Sequence, residues 1–123
     1  MKKVLVMLTM LVLLSAFVSA ESINLGNFPK GKWVDSNWNA VWEFGVDSVR
    51  LLDTNGNVIF DFKDKITDFK VDVSLTAAKI SFTCAETQRK YLFTKATTNL
   101  DMDMKIDPDW TTTDYTVSMK FQN

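Results

Sequence analysis

Three stretches of this chain place a large apolar residue at every second position, and this period of two most constrains its fold. The stretches are FKVDVSL at 69–75, LDMDMKI at 100–106 and YTVSMKF at 115–121. Successive side chains of a β-strand point to opposite faces, so alternate apolar residues face a core while their neighbours face water. A helix would spread the same residues around its circumference. The pattern therefore predicts half-buried β-strands.

Shorter segments follow the same alternation, at 42–46, 58–62, 80–84 and 91–93, with a weaker one at 49–51. Turn residues separate them, and Asn55-Gly56 is the strongest hairpin signal in the chain. Links this short cannot make the crossovers that parallel strands need. We predict an all-β, antiparallel up-and-down meander of eight or nine strands closed into a small barrel, with a β-sandwich as the alternative.

Outer-membrane barrels also alternate, with the apolar face turned to lipid. Their strands take about 9–11 residues, whereas most runs here have about seven. Strand length therefore favours a barrel with an apolar interior.

The alternation also predicts which side chains point inward. They are Trp42, Phe44, Val46, Leu51, Val58, Phe60, Phe62, Phe69, Val71, Val73, Leu75, Ile80, Phe82, Cys84, Tyr91, Phe93, Leu100, Met102, Met104, Ile106, Tyr115, Val117, Met119 and Phe121. Nearly all are large, and an eight-stranded barrel holds either packed side chains or one small ligand. This set favours a filled interior.

The first twenty residues predict a secretory signal peptide. Lys2 and Lys3 precede an apolar run at 4–18, and Val18-Ser19-Ala20 supplies the small residues of a cleavage site after Ala20. We therefore expect a secreted or periplasmic protein. Residues 21–30 have no sustained period and are expected to form a loose N-terminal arm, followed by a single barrel domain at 31–123.

Charge argues against several partners. Without Lys2 and Lys3, twelve basic and fifteen acidic side chains remain, a net charge of −3 with no basic run. Nucleic acid and anionic membrane surfaces are therefore poor partners. We expect no stable membrane insertion of the chain after cleavage.

Catalysis is not expected. The chain has no histidine, the commonest general base. Cys84 is the only cysteine, so it forms no internal disulfide, and its place in the alternation predicts a buried, inert thiol. The Asp53–Asp64 segment lacks the glycine and bidentate glutamate of a calcium loop. The sequence predicts no enzyme, no metal site and no cofactor.

Gly31-Lys32-Trp33, at the entry to the first predicted strand, resembles a mark of the lipocalin-like, or calycin-like, small secreted barrels. That resemblance implies a barrel in which Trp33 closes one end and a small ligand is bound inside. Cys84–Tyr91, CAETQRKY, is also similar to a segment of small secreted bacterial proteins, a resemblance that carries no activity. The disulfide and C-terminal helix of lipocalins are not visible here.

Two hypotheses of function follow. The first is a secreted, non-enzymatic binding protein for a small apolar ligand, with candidate residues Trp38, Phe60, Phe93, Met102, Trp110 and Met119. Trp38 and Trp110 lie in polar loops, where exposed aromatics often mark contact sites. The alternative is a protein-interaction module, such as an inhibitor of a secreted hydrolase, that acts through the 107–114 loop with Trp110 as anchor.

Overall fold

A computed structural model describes residues 20–123. The predicted signal peptide lies outside the described residues except for Ala20. Every regular element in this part of the chain is a β-strand. The nine strands are β1 (Gly31–Asp35), β2 (Ala40–Phe44), β3 (Val49–Leu52), β4 (Val58–Asp61), β5 (Thr67–Val73), β6 (Ala77–Cys84), β7 (Arg89–Ala96), β8 (Met102–Pro108) and β9 (Tyr115–Gln122).

The strands form one continuous antiparallel sheet in the order β4-β3-β2-β1-β9-β8-β7-β6-β5. Chain neighbours pair throughout, except that β9 returns to pair with β1, where Trp33 lies opposite Phe121. The sheet curls into a half-barrel whose edge strands are β4 and β5. The predicted antiparallel meander is confirmed, and one continuous sheet replaces the two-sheet sandwich alternative.

The β3–β4 hairpin forms where the Asn-Gly pair predicts it. Gly56 adopts a positive φ of 87°, a conformation that glycine takes without steric cost. The Asp53 carboxylate accepts the backbone N–H groups of Asn55 at 2.8 Å and Asn57 at 2.9 Å. The hydrogen bond from the Asn57 backbone lowers the pKa of Asp53. The segment is thus a turn stabilised by its own aspartate.

The core lies on the concave face of the sheet and is rich in aromatic rings. Trp42 packs 5.1 Å from Phe93 and 5.5 Å from Phe62, measured between ring centroids. Trp33 is buried, and its indole N–H donates to the carbonyl of Leu100 at 2.8 Å. Cys84 is a buried free thiol, as its place in the alternation predicts.

Residues 21–30 do not form a loose arm, which corrects the prediction from sequence. The Glu21 N–H donates to the carbonyl of Ile66 at 2.8 Å, and the Leu25 N–H donates to that of Val46 at 3.0 Å. Ile23, Leu25 and Phe28 are buried in the core. The arm thus bridges the β4–β5 link and the β2–β3 turn, and its apolar side chains complete a core that the half-barrel leaves uncovered.

Several residues predicted to point inward are exposed instead. They are Val46, Val58, Val73, Leu75, Leu100 and Phe121. Val46, Leu75 and Leu100 fall in turns, beyond the ends of the strands that would have oriented them. Val58 and Val73 lie on the edge strands, and Phe121 is near the chain terminus. Alternation sets the face of a side chain, but burial also requires a neighbour on that face.

Candidate functional site: an aromatic pocket at one end of the sheet

A cavity of about 330 Å³, the end pocket, opens where the β1–β2 turn, the start of β7 and the β8–β9 loop come together. Small-molecule sites commonly measure about 300–1,000 Å³. Two larger depressions, of about 550 and 590 Å³, are lined mainly by polar side chains, including the outward-pointing Lys105. The end pocket is more enclosed and has the more apolar lining, so it is the better candidate.

Two tight turns form part of the rim of the end pocket. The β1–β2 turn spans four residues between Asp35 and Ala40, and Asn39 takes a positive φ of 51° at its last position. Gln88 takes a φ of 56° at the same position of the β6–β7 turn. Asparagine tolerates this left-handed conformation better than most residues. These compact turns place Trp38 and Arg89 beside the cavity.

Trp38 and Trp110 form exposed aromatic walls of the end pocket. Trp38 is 72% exposed and lies edge-on to Tyr115, with 6.4 Å between ring centroids. Trp110 is 58% exposed, and the Arg89 guanidinium lies 5.0 Å from its ring centroid. Both tryptophans line the pocket, although they are far apart in sequence. The prediction that they are exposed loop aromatics is confirmed, and the fold places them at one site.

The floor of the end pocket is continuous with the core. Trp42, Leu51, Met104 and Ile106 reach it from three strands, and Trp42 and Met104 are almost fully buried. Trp42 also packs 5.6 Å from Tyr91, between ring centroids. Core packing holds these side chains in place, so the floor is formed before any ligand arrives.

Asp35 is a buried carboxylate, 2% exposed, in the wall of the end pocket. It accepts the Tyr115 hydroxyl at 2.8 and 3.0 Å, through its two oxygens, and the Asn37 backbone N–H at 3.0 Å. The Asn37 side-chain amide donates in turn to the Tyr115 hydroxyl at 3.1 Å. Burial is the largest effect raising the pKa of Tyr115, although the Asn37 hydrogen bond opposes it. This network fixes Tyr115 in position.

Arg89 is the second charged residue of the end pocket. Among residues 20–123, no carboxylate oxygen lies within 4.0 Å of its guanidinium. Its neighbour Tyr91 donates its hydroxyl to Thr87 Oγ1 at 2.9 Å. Burial raises the pKa of Tyr91, against the opposing effects of that hydrogen bond and of the Arg89 charge. The Arg89 guanidinium thus lies against the Trp110 ring and beside the Tyr91 hydroxyl, without an acid partner among the described residues.

Four of the six ligand-binding residues predicted from sequence do not reach the end pocket. Phe93, Met102 and Met119 are fully buried in the packed core. Phe60 is half-buried against Phe62, with the Lys65 ammonium 4.7 Å from its ring centroid. These four residues belong to the hypothesis of an internal pocket, although the bulk of the inward-facing set favoured a filled interior. Large side chains do fill the middle of the half-barrel, and the pocket forms at one end.

Sequence reasoning missed the polar residues of the end pocket, although a signal was present. Asp35 is two positions after Trp33, and Arg89 is two before Tyr91, so each is in phase with an inward-facing row. A charged residue on the inward face is uncommon and marks a functional candidate. The alternation could therefore have identified both.

Across residues 20–123, no three histidine, cysteine or acidic side chains cluster closely enough to hold a metal ion. The same part of the chain contains no helix long and apolar enough to cross a membrane. No family model, curated protein or solved structure matches the chain.

Proposed function

We propose that this protein binds a small, largely apolar molecule in the end pocket and catalyses no reaction on it. The observation that carries the proposal is the pair of exposed tryptophans, Trp38 and Trp110, beside a cavity with a buried aromatic floor. Large aromatic rings left in water at a concave site mark a surface that a partner covers. The absence of histidine from the sequence supports binding over catalysis.

Binding would follow from removing apolar surface from water. Each Å² of apolar surface buried contributes about 25 cal/mol, and the two tryptophan rings offer much of that surface. The floor is already packed, so little ordering of the protein would oppose association. The apolar run at 4–18 and the Gly31-Lys32-Trp33 resemblance support placing this activity outside the cytoplasm, in a secreted or periplasmic lipocalin-like protein.

The experiment is a panel of apolar compounds, including lipids, steroids and flat aromatics, measured by tryptophan fluorescence and melting temperature. At least one compound should raise the melting temperature and change the fluorescence. Trp38→Ala and Trp110→Ala should each weaken its binding about tenfold, since losing a well-packed aromatic contact at a binding site commonly costs at least 1 kcal/mol.

Leu75→Ala provides the matched control, because Leu75 is 96% exposed and lies in the β5–β6 turn, away from the end pocket. It should leave the affinity unchanged. The proposal would be contradicted if no compound changed the melting temperature or the tryptophan fluorescence. It would also be contradicted if the two tryptophan variants bound as tightly as the control.

A second candidate is inhibition of a secreted hydrolase through the 107–114 loop. The observation in its favour is that this loop is tethered: the Asp109 N–H donates to the carbonyl of Gln88 at 2.9 Å. A tethered loop presents Trp110 as a stiff anchor. Inhibition assays against secreted hydrolases, with wild type and Trp110→Ala, distinguish the two: only an inhibitor slows such an enzyme and loses that effect with Trp110.

A further inference from the structure

Two charged side chains, Asp35 and Arg89, line the end pocket. They differ in how many hydrogen bonds and ion pairs they form with the rest of the protein. Asp35 accepts hydrogen bonds at both carboxylate oxygens, from the Tyr115 hydroxyl and the Asn37 backbone. Arg89 has no acid within 4.0 Å among the described residues. Its guanidinium lies close enough to the Tyr91 hydroxyl to oppose the rise in the pKa of that group, but no described acid neutralises its charge, which is therefore left to a ligand.

The position of Arg89 also suits recognition. Its guanidinium lies over the Trp110 ring, and stacking on an aromatic face orients the planar group while leaving its edge free to donate. Arg89 is the first residue of β7, in register with Pro108 of β8, so both strands hold it at the pocket. An oriented guanidinium binds a carboxylate through two parallel hydrogen bonds.

Asp35 lies on a different side of the end pocket. It contacts Tyr115 and belongs to β1, whereas Arg89 belongs to β7, and strands β8 and β9 stand between them in the sheet. A ligand acid would be repelled from the Asp35 side and attracted to the Arg89 side. The two charges therefore define one orientation for an anionic ligand.

We propose that the ligand is a flat apolar molecule with one carboxylate, which Arg89 binds while Trp38 and Trp110 cover the apolar body. This inference rests on the proposed function, because it takes the end pocket to be the binding site. It adds the chemical class of the ligand and a residue that selects it.

The experiment compares 2-naphthoate with 2-naphthamide, which share a ring system and differ in charge, by titration calorimetry at neutral pH. Wild type should bind the carboxylate about tenfold more tightly than the amide, the size expected of hydrogen bonds to a charged group. Arg89→Gln should abolish that preference and change the affinity for the amide less than threefold. Arg89→Lys should keep part of the preference, because lysine retains the charge but loses the planar fork.

Lys90→Gln is the matched control: it removes the same charge one residue away, on the exposed outer face of β7. It should leave the preference intact. Suppose that both compounds bind and that Trp38→Ala weakens the binding of both. If Arg89→Gln then leaves the ratio of the two affinities unchanged, the carboxylate inference is overturned, while the end pocket remains the binding site. If Trp38→Ala and Trp110→Ala alter the binding of neither compound, the proposed function fails as well.

Discussion

Asp35 is held in a buried position by hydrogen bonds. A buried carboxylate is costly unless donors replace the water it loses. Here the Tyr115 hydroxyl and the Asn37 N–H do so, and no described buried side-chain oxygen or nitrogen lacks a partner. The same hydroxyl joins β9 to the β1–β2 turn. One tyrosine thus stabilises an acid and fixes a wall of the end pocket.

Tyr115→Phe removes this donor and leaves the Asp35 carboxylate incompletely hydrogen-bonded. We expect the free energy of unfolding to fall by about 1–3 kcal/mol, measured by urea denaturation. Ser118→Ala, an exposed position on the same strand, should change it by less than about 0.5 kcal/mol. Equal stability of the two variants would show that Tyr115 does not hold the acid.

Tyr91 gives a second prediction at this scale, in alkaline solution. Burial raises its pKa above the ordinary 10.0, so the unfolded chain loses the phenolic proton first. The free energy of unfolding that this pKa difference contributes is complete below pH 10. It is lost as the pH rises through the higher pKa of Tyr91 in the folded state. Tyr91→Phe should therefore lose less unfolding free energy than wild type between about pH 9 and about pH 12. Parallel pH profiles for the two proteins would contradict this expectation.

Among the elements, the N-terminal arm is notable because it contributes buried side chains to the core although it is not a strand. Ile23, Leu25 and Phe28 enter the core without forming a strand. The Phe28 ring lies 5.6 Å from that of Phe44, and Glu21 Oε2 accepts the Phe69 N–H at 2.8 Å. The half-barrel needs this segment because its edge strands do not themselves enclose the core.

Leu25→Ala should lower the free energy of unfolding by about 2–5 kcal/mol, as for other fully buried leucines. Asn27→Ala, an exposed position in the same arm, should have little effect. Urea denaturation of both variants measures the difference. A loose arm would instead make the two substitutions equivalent, within about 0.5 kcal/mol.

At the scale of the whole molecule, β9 holds the sheet together. It is the last strand in the sequence but lies at the centre of the sheet, between β1 and β8. Without it, β1–β4 and β5–β8 would be two separate sheets. The fold therefore depends on a pairing between the first and the last strand.

A shortened chain ending at Asp114 should consequently lose cooperative thermal unfolding and its near-ultraviolet circular dichroism, because each half would expose its side of the shared core. A chain lacking only Asn123, which follows β9, should melt like the full-length protein. If the chain ending at Asp114 still unfolds in a single sharp transition, the two halves are independent, and this account of the sheet is wrong.

The sequence was enough to predict that the chain forms about nine β-strands, that they pair antiparallel, and which face most of them turn inward. These features were predictable because side-chain alternation and short turns are local properties. The exposed positions of Trp38 and Trp110 followed from their polar loops. The sequence also places Asp35 and Arg89 on inward faces, through their phase with Trp33 and Tyr91.

Tertiary structure alone decided the rest. Burial of Leu25 and Phe28 depends on where the curled sheet leaves its core uncovered, and no periodicity within the arm records that position. The end pocket likewise combines Asp35, Arg89 and Trp110, which come together only because β9 returns to pair with β1 and the sheet curls. Local patterns set which way a side chain points, whereas the long-range pairing of β1 with β9 and the curl of the sheet determine which side chains meet.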